Sequence, residues 1–333
     1  MSTRRRVLAA ALAAPFAGPA RAEGPPTIRV ARIQGVNFLP MQVMQKRKLV
    51  EKHAALLGLP GGTAEWFDFA GGGNATDAML AGSIDVVNAG PGNLLLLWDR
   101  TKGGVKGIVS NSALPAVLVT RDDRLRRITD YGPGDRIAVP TVLVSTPAIL
   151  IQMACEQAYG PGEWKRLDAS TVQMGHPDAL VALKNAGHEV RSHFGSPPFI
   201  GRELREVPGA HTVTSSSEIM GSPLCTAVMF GLTRYAQRQP GMVRALMDAS
   251  AEAVASVRDD PAAAARDYLD VSGDRMAPDE LTALLRQPDM VFDTKPEGTL
   301  KFAEFLHRTG TLRTKPAAWT DYFIPEAAAL GGS

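Results

Sequence analysis

The residues best suited to chemistry are small polar side chains that recur where predicted strands end. Gln34, Asn37, Asn74, Asn93, Asn111, Ser112, Ser145, Thr146, His193 and Ser196 all fall at such ends, and most are neutral hydrogen-bonding groups. Several precede helices, whose first N–H groups lack partners and carry partial positive charge. A set of this kind can hold a small anion without a dedicated arginine. Taken singly, each residue reads equally as a helix cap. Taken as a set opposed across two units, they read as a ligand site. Arg32 and Arg191 lie within strands near these loops, either offering a formal charge or paired elsewhere. His193 is the titratable group at one turn, a donor to an anion or a satisfied interior histidine. Phe38 and Phe194 are core or pocket wall; Phe199 reads as core.

Catalytic patterns are missing. No G-x-S-x-G elbow and no Walker phosphate loop occurs. His188-Glu189-Val190-Arg191-Ser192-His193 superficially resembles a zinc motif, but its histidines are five apart and the segment reads as a strand, so no metal is expected. The glycine turns at Gly71 to Gly73 and Gly90 to Gly92 lack the third glycine and downstream acid of a dinucleotide fingerprint, and no cofactor is expected.

The elements that must position these residues repeat. A helix ends at Gly82, the strand Ser83 to Asn88 follows, and Ala89-Gly90-Pro91-Gly92-Asn93 turns into a helix from Leu94. The plan returns at Gly187, with His188 to His193 as strand and Phe194-Gly195-Ser196-Pro197-Pro198 as turn. With Gly82 laid on Gly187, Ala81 falls on Ala186, Gly90 on Gly195 and Gly92 on Pro197. Before the first repeat come a strand, Ile28 to Ile33, a helix, Met41 to Leu57, and a strand, Thr63 to Phe69, with a helix from Ala75. Val105 to Ser110 and Ala116 to Thr120 read as strands. The second unit has strands Arg136 to Pro140, Ser170 to Met174 and Gly209 to Thr214. Its helices start after Thr146-Pro147 and at His176-Pro177, proline suiting a first helical turn. This alternation predicts an α/β fold of two doubly wound, mainly parallel lobes. From Leu232 the pattern is helical nearly to the end. Crossings near Asn111 to Ala116 and Gly221 to Leu224 predict a two-stranded hinge. The expected division is residues 27–114 plus 222–333 for the first lobe with the C-terminal helices, and 115–221 for the second. Facing strand-end loops would enclose a cleft.

Residues 1–22 read as a secretory signal peptide: a basic start with Arg4, Arg5 and Arg6, an apolar alanine-rich run, and Ala20-Arg21-Ala22 as cleavage site. The adjacent arginines also fit a twin-arginine signal. The whole chain carries 36 Lys+Arg against 34 Asp+Glu, net +2; the signal holds four arginines and no acid, so the mature chain is at −2. That balance gives no electrostatic footprint for nucleic acid. The 311 residues beyond the signal suffice for two cores. Cys155 and Cys225 are expected as buried thiols or as a disulfide, the thiols favoured.

Several motifs carry a family resemblance: Gly73 to Gly92 with its Gly-Ser-Ile-Asp-Val strand and Gly-Pro-Gly turn, His176-Pro177-Asp178-Ala179, and His193-Phe194-Gly195-Ser196-Pro197-Pro198-Phe199. Arg308-Thr309-Gly310 and Lys315-Pro316-x-x-Trp319-x-Asp321 complete the set. The chain resembles periplasmic solute-binding proteins of ABC importers, of the type with two crossover strands (type II), and more narrowly the nitrate/taurine/sulfonate group. The likeness covers nearly all of the mature chain. It implies capture of a small solute in the periplasm and delivery to an ABC permease in the inner membrane, by a monomer without enzymatic activity. It implies that Gln34, Asn37, Phe38, Gly73, Asn74, Gly90, Pro91, Gly92 and Asn93 line one wall, and Ser145, Thr146, His176, His193, Gly195 and Ser196 the other. Without an acidic cluster or an arginine clamp in these loops, a small organic sulfonate or carboxylate is expected, with nitrate also within the group's range. The rival readings are an exported enzyme, such as a protein similar to thiamine-pyrimidine synthases, and a sensor partner that presents the same ligand to a receptor.

Overall fold

Ile28, Val30 and Ala31 are fully buried in the first strand, while Arg29 and Arg32 between them reach partners at the sheet's margin. That pattern belongs to a strand covered by helices on both faces. The computed structural model describes residues 25–69 and 71–333. The expected signal peptide lies outside them.

The chain forms β1 (Thr27–Ile33), α1 (Leu39–Lys46), α2 (Leu49–Leu56), β2 (Thr63–Phe69), α3 (Gly72–Leu80), β3 (Val86–Ala89), α4 (Pro91–Arg100) and β4 (Val105–Ser112). It then builds β5 (Val117–Thr120), β6 (Arg136–Val139), α5 (Thr146–Tyr159), β7 (Thr171–Gln173), α6 (His176–Lys184), β8 (Val190–Gly195), α7 (Phe199–Glu206), β9 (His211–Ser215) and α8 (Ser216–Met220). It closes with β10 (Ala227–Leu232), α9 (Thr233–Arg238), α10 (Pro240–Asp259), α11 (Pro261–Ser272), α12 (Pro278–Leu285) and α13 (Thr299–Arg308). None of the described helices is long and apolar enough to cross a membrane.

Two five-stranded sheets result, ordered β2-β1-β3-β10-β4 and β7-β6-β8-β5-β9. They share one plan. β1, β2 and β3 correspond to β6, β7 and β8, all parallel, and the fourth strand, β10 or β5, runs antiparallel to its neighbours. The glycine repeat in the sequence thus marks equivalent strands, β3 and β8. The two lobes exchange chain twice, between β4 and β5 and between α8 and β10. The crossings are hydrogen-bonded at both ends: Thr226 N donates to Ser112 O (2.8 Å), and Ser216 N to Ala116 O (2.7 Å). Ala113 N also donates to Val291 O (2.8 Å), so a third segment braces the hinge.

Three local expectations shift. The helix expected from Met41 to Leu57 is two helices, broken at Lys48, which takes a left-handed φ of 50°. The break lets α1 bury Met41, Val43 and Met44 while α2 turns Leu49, Val50 and Ala54 inward. Helices α3 and α4 start three residues earlier than expected, at Gly72 and Pro91, because the glycine turns are themselves first helical turns. Proline's fixed φ suits that position. Cys155 and Cys225 are buried, unpaired thiols, and burial pushes Cys155 up to about 11 and Cys225 up to about 12.

The C-terminal segment is fixed to the first sheet at Gly107. Ile324 N donates to Gly107 O (2.9 Å), and the Phe323 ring lies flat enough on the glycine that a Cβ there would sit 2.5 Å from it. Gly107→Ala is therefore expected to cost about 1–3 kcal/mol through overpacking, read as a lower urea midpoint with an unchanged slope. An unchanged midpoint would show that the ring yields freely.

Candidate ligand-binding cleft

The parallel strands of both sheets end toward each other, and the lobes meet where β3 and β6 end. Gly90 and Gly92 make this approach possible. A Cβ on Gly90 would lie 2.8 Å from Thr146 Oγ1, and one on Gly92 would lie 3.0 Å from the Val144 carbonyl oxygen and 3.2 Å from Ile149 Cδ1. The partner loop is strained into place. Leu143 has φ 66°, and Val144 N donates to Val142 O (2.8 Å), closing a γ-turn of the costly positive-φ kind. Such strain concentrates at ligand-contacting segments. The turn leaves the Leu143 side chain exposed. Ser145, expected as a ligand group, has its hydroxyl engaged: it donates to Thr141 O (2.6 Å) and accepts from Ala148 N (3.4 Å), capping α5. Thr146, the first residue of that helix, is the side chain that meets Gly90.

On the first lobe, Gln34, Gly73 and Asn74 are exposed, and Asn37, Phe38, Gly90 and Asn93 are half-buried, whereas Pro91 and Gly92 are buried. The loop after β1 is anchored to the hinge, because the Ser112 hydroxyl donates to Asn37 O (2.9 Å). Asn37 Oδ1 is buried without a partner. Asn93 packs on the start of α3, its Nδ2 3.3 Å from where a Gly72 Cβ would stand. Neither α3 nor α4 has a side-chain cap; the first N–H groups of α3 remain open, whereas at α4 Pro91 has no N–H and Asn93 N donates to Gly90 O (3.0 Å), which leaves the Gly92 N–H. Asn88 and Asn111, on one face of the sheet by register, are fully buried, and both amide atoms of Asn88 and Nδ2 of Asn111 lack partners. Asn111 Oδ1 accepts from the Ser250 hydroxyl (2.5 Å). Asn111 and Ser112 therefore serve the hinge and core.

The second lobe joins its candidates into one line of hydrogen bonds. Ser196 Oγ lies 3.4 Å from His176 Nε2, His176 Nδ1 lies 2.8 Å from His193 Nε2, and His193 Nδ1 lies 2.6 Å from Glu203 Oε1. His193 and Glu203 are fully buried; His176 and Ser196 are half-buried. Phe199 stacks on His176 at 5.7 Å between ring centres, so it is a wall of this site as well as core. Gly195 is required here, since a Cβ would stand 2.5 Å from the His193 ring. Burial holds both histidines well below their usual value, to about 3, with His193 adding its repulsion at His176. Burial pushes Glu203 up to about 8. His193 is thus interior and satisfied, and it also stands behind the half-buried His176. Sequence reading missed Glu203. Its signal was a charged residue on the apolar stripe of α7, between Phe199 and Val207 at helical spacing.

Neither candidate arginine reaches this cleft free. Arg32 grips Asp68 with two bonds of 2.6 Å and donates to Gln45, holding Asp68 below its usual range. Arg191 pairs with Asp122 at the opposite end of β8. Across the lobe junction, Arg205 on α7 pairs with Glu280 on α12 at 3.0 Å, and Arg308 on α13 pairs with Glu156 on α5. A cavity of about 360 Å³ opens beside the first of these pairs, walled by Pro197, Pro198 and Leu204 on one lobe and Ala283 and Leu284 on the other.

No family model matches the sequence, and no curated protein matches it. Solved structures do match. The chain is similar to the periplasmic aliphatic sulphonate binding protein SsuA from Escherichia coli (15% identity, 90% of this chain and 92% of that one, TM-score 0.69). It is similar to the alkanesulfonate-binding protein SsuA from Xanthomonas axonopodis pv. citri bound to MOPS (17%, 94% and 100%, 0.67). The periplasmic nitrate-binding protein NrtA from Synechocystis PCC 6803 also matches (13%, 92% and 85%, 0.64). The fold is that of the two-lobed periplasmic binding proteins.

Because Gly92 meets a backbone carbonyl that cannot rotate away, Gly92→Ala is expected to hold the lobes apart. The expected readouts are a larger radius of gyration in small-angle scattering and ligand affinity weakened about tenfold, or ~1.4 kcal/mol. Unchanged scattering and affinity would show that the loops separate at no cost.

Proposed function

We propose that this chain is an extracytoplasmic solute-binding protein that captures a small organic oxyanion, a sulfonate or a carboxylate, between its lobes and delivers it to an ABC importer. Nitrate is the smaller ligand that the same chemistry would accept. The observation that carries the reading is the composition of the facing loops. The open N–H groups at the start of α3, the Gly92 N–H of α4, neutral amides and the Ser196–His176 edge all belong to loops that follow parallel strands, while Arg32 and Arg191 are paired, and this supports the reading. Neutral donors and helix ends suit a monoanion with little charge density. The names of the matched proteins support the same ligand class and an import role. In this reading residues 27–114 with 222–333 and residues 115–221 rotate as two bodies about the hinge, ligand contacts favour the closed state, and the protein acts as a monomer after export.

One observation favours an exported enzyme instead: a serine, two histidines and a glutamate lie in line. The depressed His176 weighs against it, since a base protonating only near 3 takes a proton poorly from a serine hydroxyl at neutral pH.

Native mass spectrometry of the exported form, with nitrate, alkylsulfonates, taurine, aromatic carboxylates and pyrimidines, tests the proposal. A stoichiometric, unmodified sulfonate or carboxylate is expected, and Asn93→Ala should weaken it by about 0.5–1.5 kcal/mol. Exclusive binding of a pyrimidine, or a compound returned chemically altered, would overturn it.

A further inference from the structure

The second lobe holds a glutamate with no exposed surface whose partner is a histidine with none either. Glu203 Oε2 is buried with no hydrogen-bond partner. A net negative charge on a fully buried pair, one carboxylate oxygen of which has no partner, is costly, so the Glu203–His193 pair keeps its proton. The position of that proton within the 2.6 Å contact has no consequence further along. If Glu203 holds it, His193 Nδ1 accepts and Nε2 bears the ring's hydrogen. If His193 holds it, both ring nitrogens bear hydrogens. In either case His193 Nε2 donates across 2.8 Å to His176 Nδ1, and neutral His176 must carry its hydrogen on Nε2.

Removal of one proton from the pair reverses every bond. Glu203 then accepts from His193 Nδ1–H, His193 Nε2 accepts from His176 Nδ1–H, and His176 Nε2 becomes a lone pair. We infer that Glu203, His193 and His176 form a proton relay that decides whether the cleft offers a hydrogen-bond donor or an acceptor at His176 Nε2, and that the protonated relay selects an oxyanion ligand. The inference rests on the solute-binding reading above. Glu203 acts through the histidines and is a positioning residue. Release of the proton leaves a net negative charge and a lone pair at His176 Nε2, toward which the Ser196 hydroxyl at 3.4 Å turns its hydrogen, and both changes disfavour an oxyanion at this edge.

Other charges leave the relay in control of this polarity. Lys184 and Arg202 pair with Glu206 on the outer face of α7, Arg205 with Glu280 on α12, and Arg191 with Asp122 at the far end of β8. Arg136 starts β6 at that same far end, and its guanidinium donates to the Pro133 and Asp135 carbonyls. Asp178, exposed in the first turn of α6, is the nearest further carboxylate in sequence to His176. Loop residues Gln34 to Phe38, Gly71 to Asn74, Gly90 to Asn93 and Thr141 to Ser145 carry no charge. Burial raises Glu203 to about 8, which puts reversal just above neutrality.

The test is ¹⁵N NMR of histidine-labelled, ligand-free protein between about pH 6 and pH 9.5, paired with calorimetric titration of ethanesulfonate, whose charge is constant over that range. His176 is expected as the Nε2–H tautomer at the acid end and the Nδ1–H tautomer at the alkaline end, with ethanesulfonate affinity falling about tenfold per pH unit past the transition. In Glu203→Gln both pH dependences should vanish, whichever way the amide is turned. A His176 tautomer that stays constant in the wild type, or that switches identically in Glu203→Gln, would overturn the relay; the wild-type titration decides the point should the variant not fold. A tautomer switch with pH-independent affinity would overturn its role in selection. A switch with no ethanesulfonate binding at any pH would overturn the oxyanion assignment while the relay stands.

Discussion

The structure depends on a double exchange of chain between its lobes. Each sheet takes its antiparallel fourth strand from one side of a crossing: β10 returns into the first sheet and β5 enters the second. A crossing strand that is also a sheet strand cannot slide without breaking ladder hydrogen bonds. The lobes are consequently held at fixed register, and the freedom left to them is bending between Ser112 and Ala116 and between Ser216 and Thr226. Small torsions there move the strand-end loops by large distances. The same constraint aligns β3 of one lobe and β6 of the other so that Gly92 and Val144 meet.

Charge is distributed to match. Several ion pairs within the lobes sit toward the amino ends of the parallel strands, Arg29 with Asp85 before β3 and Arg124 and Arg191 with Asp122 behind the second sheet, whereas Arg32 and Asp68 neutralise each other near the carboxyl ends of β1 and β2. Arg124 and then Arg191 hold Asp122 down at about 2. At the carboxyl ends the loops are neutral and the start of α3 is open. On the proposed reading, electrostatic attraction for a ligand comes from partial charges at short range. Exposed long-range fields would be screened within about 8 Å at physiological salt, whereas N–H groups in a closing, water-poor cleft act at contact distance and gain strength as the dielectric falls.

Much of this was legible in the sequence. The helix-strand-turn repeat placed β3 and β8 as equivalents before any coordinates, because Gly, Pro and apolar runs are set by local backbone chemistry. His176, His193 and Ser196 were legible as strand-end residues. Their union into one hydrogen-bonded line was not, since β7 and β8 are brought together only across β6, a pairing that no local pattern specifies. Glu203 was hidden for the opposite reason: a charged residue in a short surface helix ordinarily faces solvent, and only the packing of α7 against α6 and β5, with His193 of β8 as partner, buries it. The strained turn at Leu143 carries no glycine or asparagine to announce a positive φ, and sequence rules place a left-handed residue by those types. The arginines were left open between ligand and ion pair because formal charge was visible in the sequence and its partners, Asp68 and Asp122, were not.

The buried relay cannot be explained as a stabilising feature. Glu203 has its carboxyl raised from 4.5 to about 8, so the unfolded chain gains ionisation above 4.5 that the folded chain forgoes until 8; stability from this group is full below 4.5 and lost as pH rises through 8. His176 and His193 are lowered from 6.5 to about 3, so their contribution is full above 6.5 and lost as pH falls through 3. Ionisation is withheld from Glu203 between 4.5 and about 8 and from the histidines between about 3 and 6.5, so the two ranges overlap between 4.5 and 6.5 and together span neutrality. An apolar residue at 203 would relieve that cost at neutral pH, and Phe199 at the start of α7 and Val207 just after its end are already apolar at the same spacing. The core around β5 and β6, with Val119 and Ala138 fully buried, offsets the penalty without removing it. What the glutamate supplies that an apolar residue cannot is a fixed direction for the hydrogen on His176, and that direction matters to whatever hydrogen-bonds at Nε2: the Ser196 hydroxyl at 3.4 Å and, on the proposed reading, a ligand beside it.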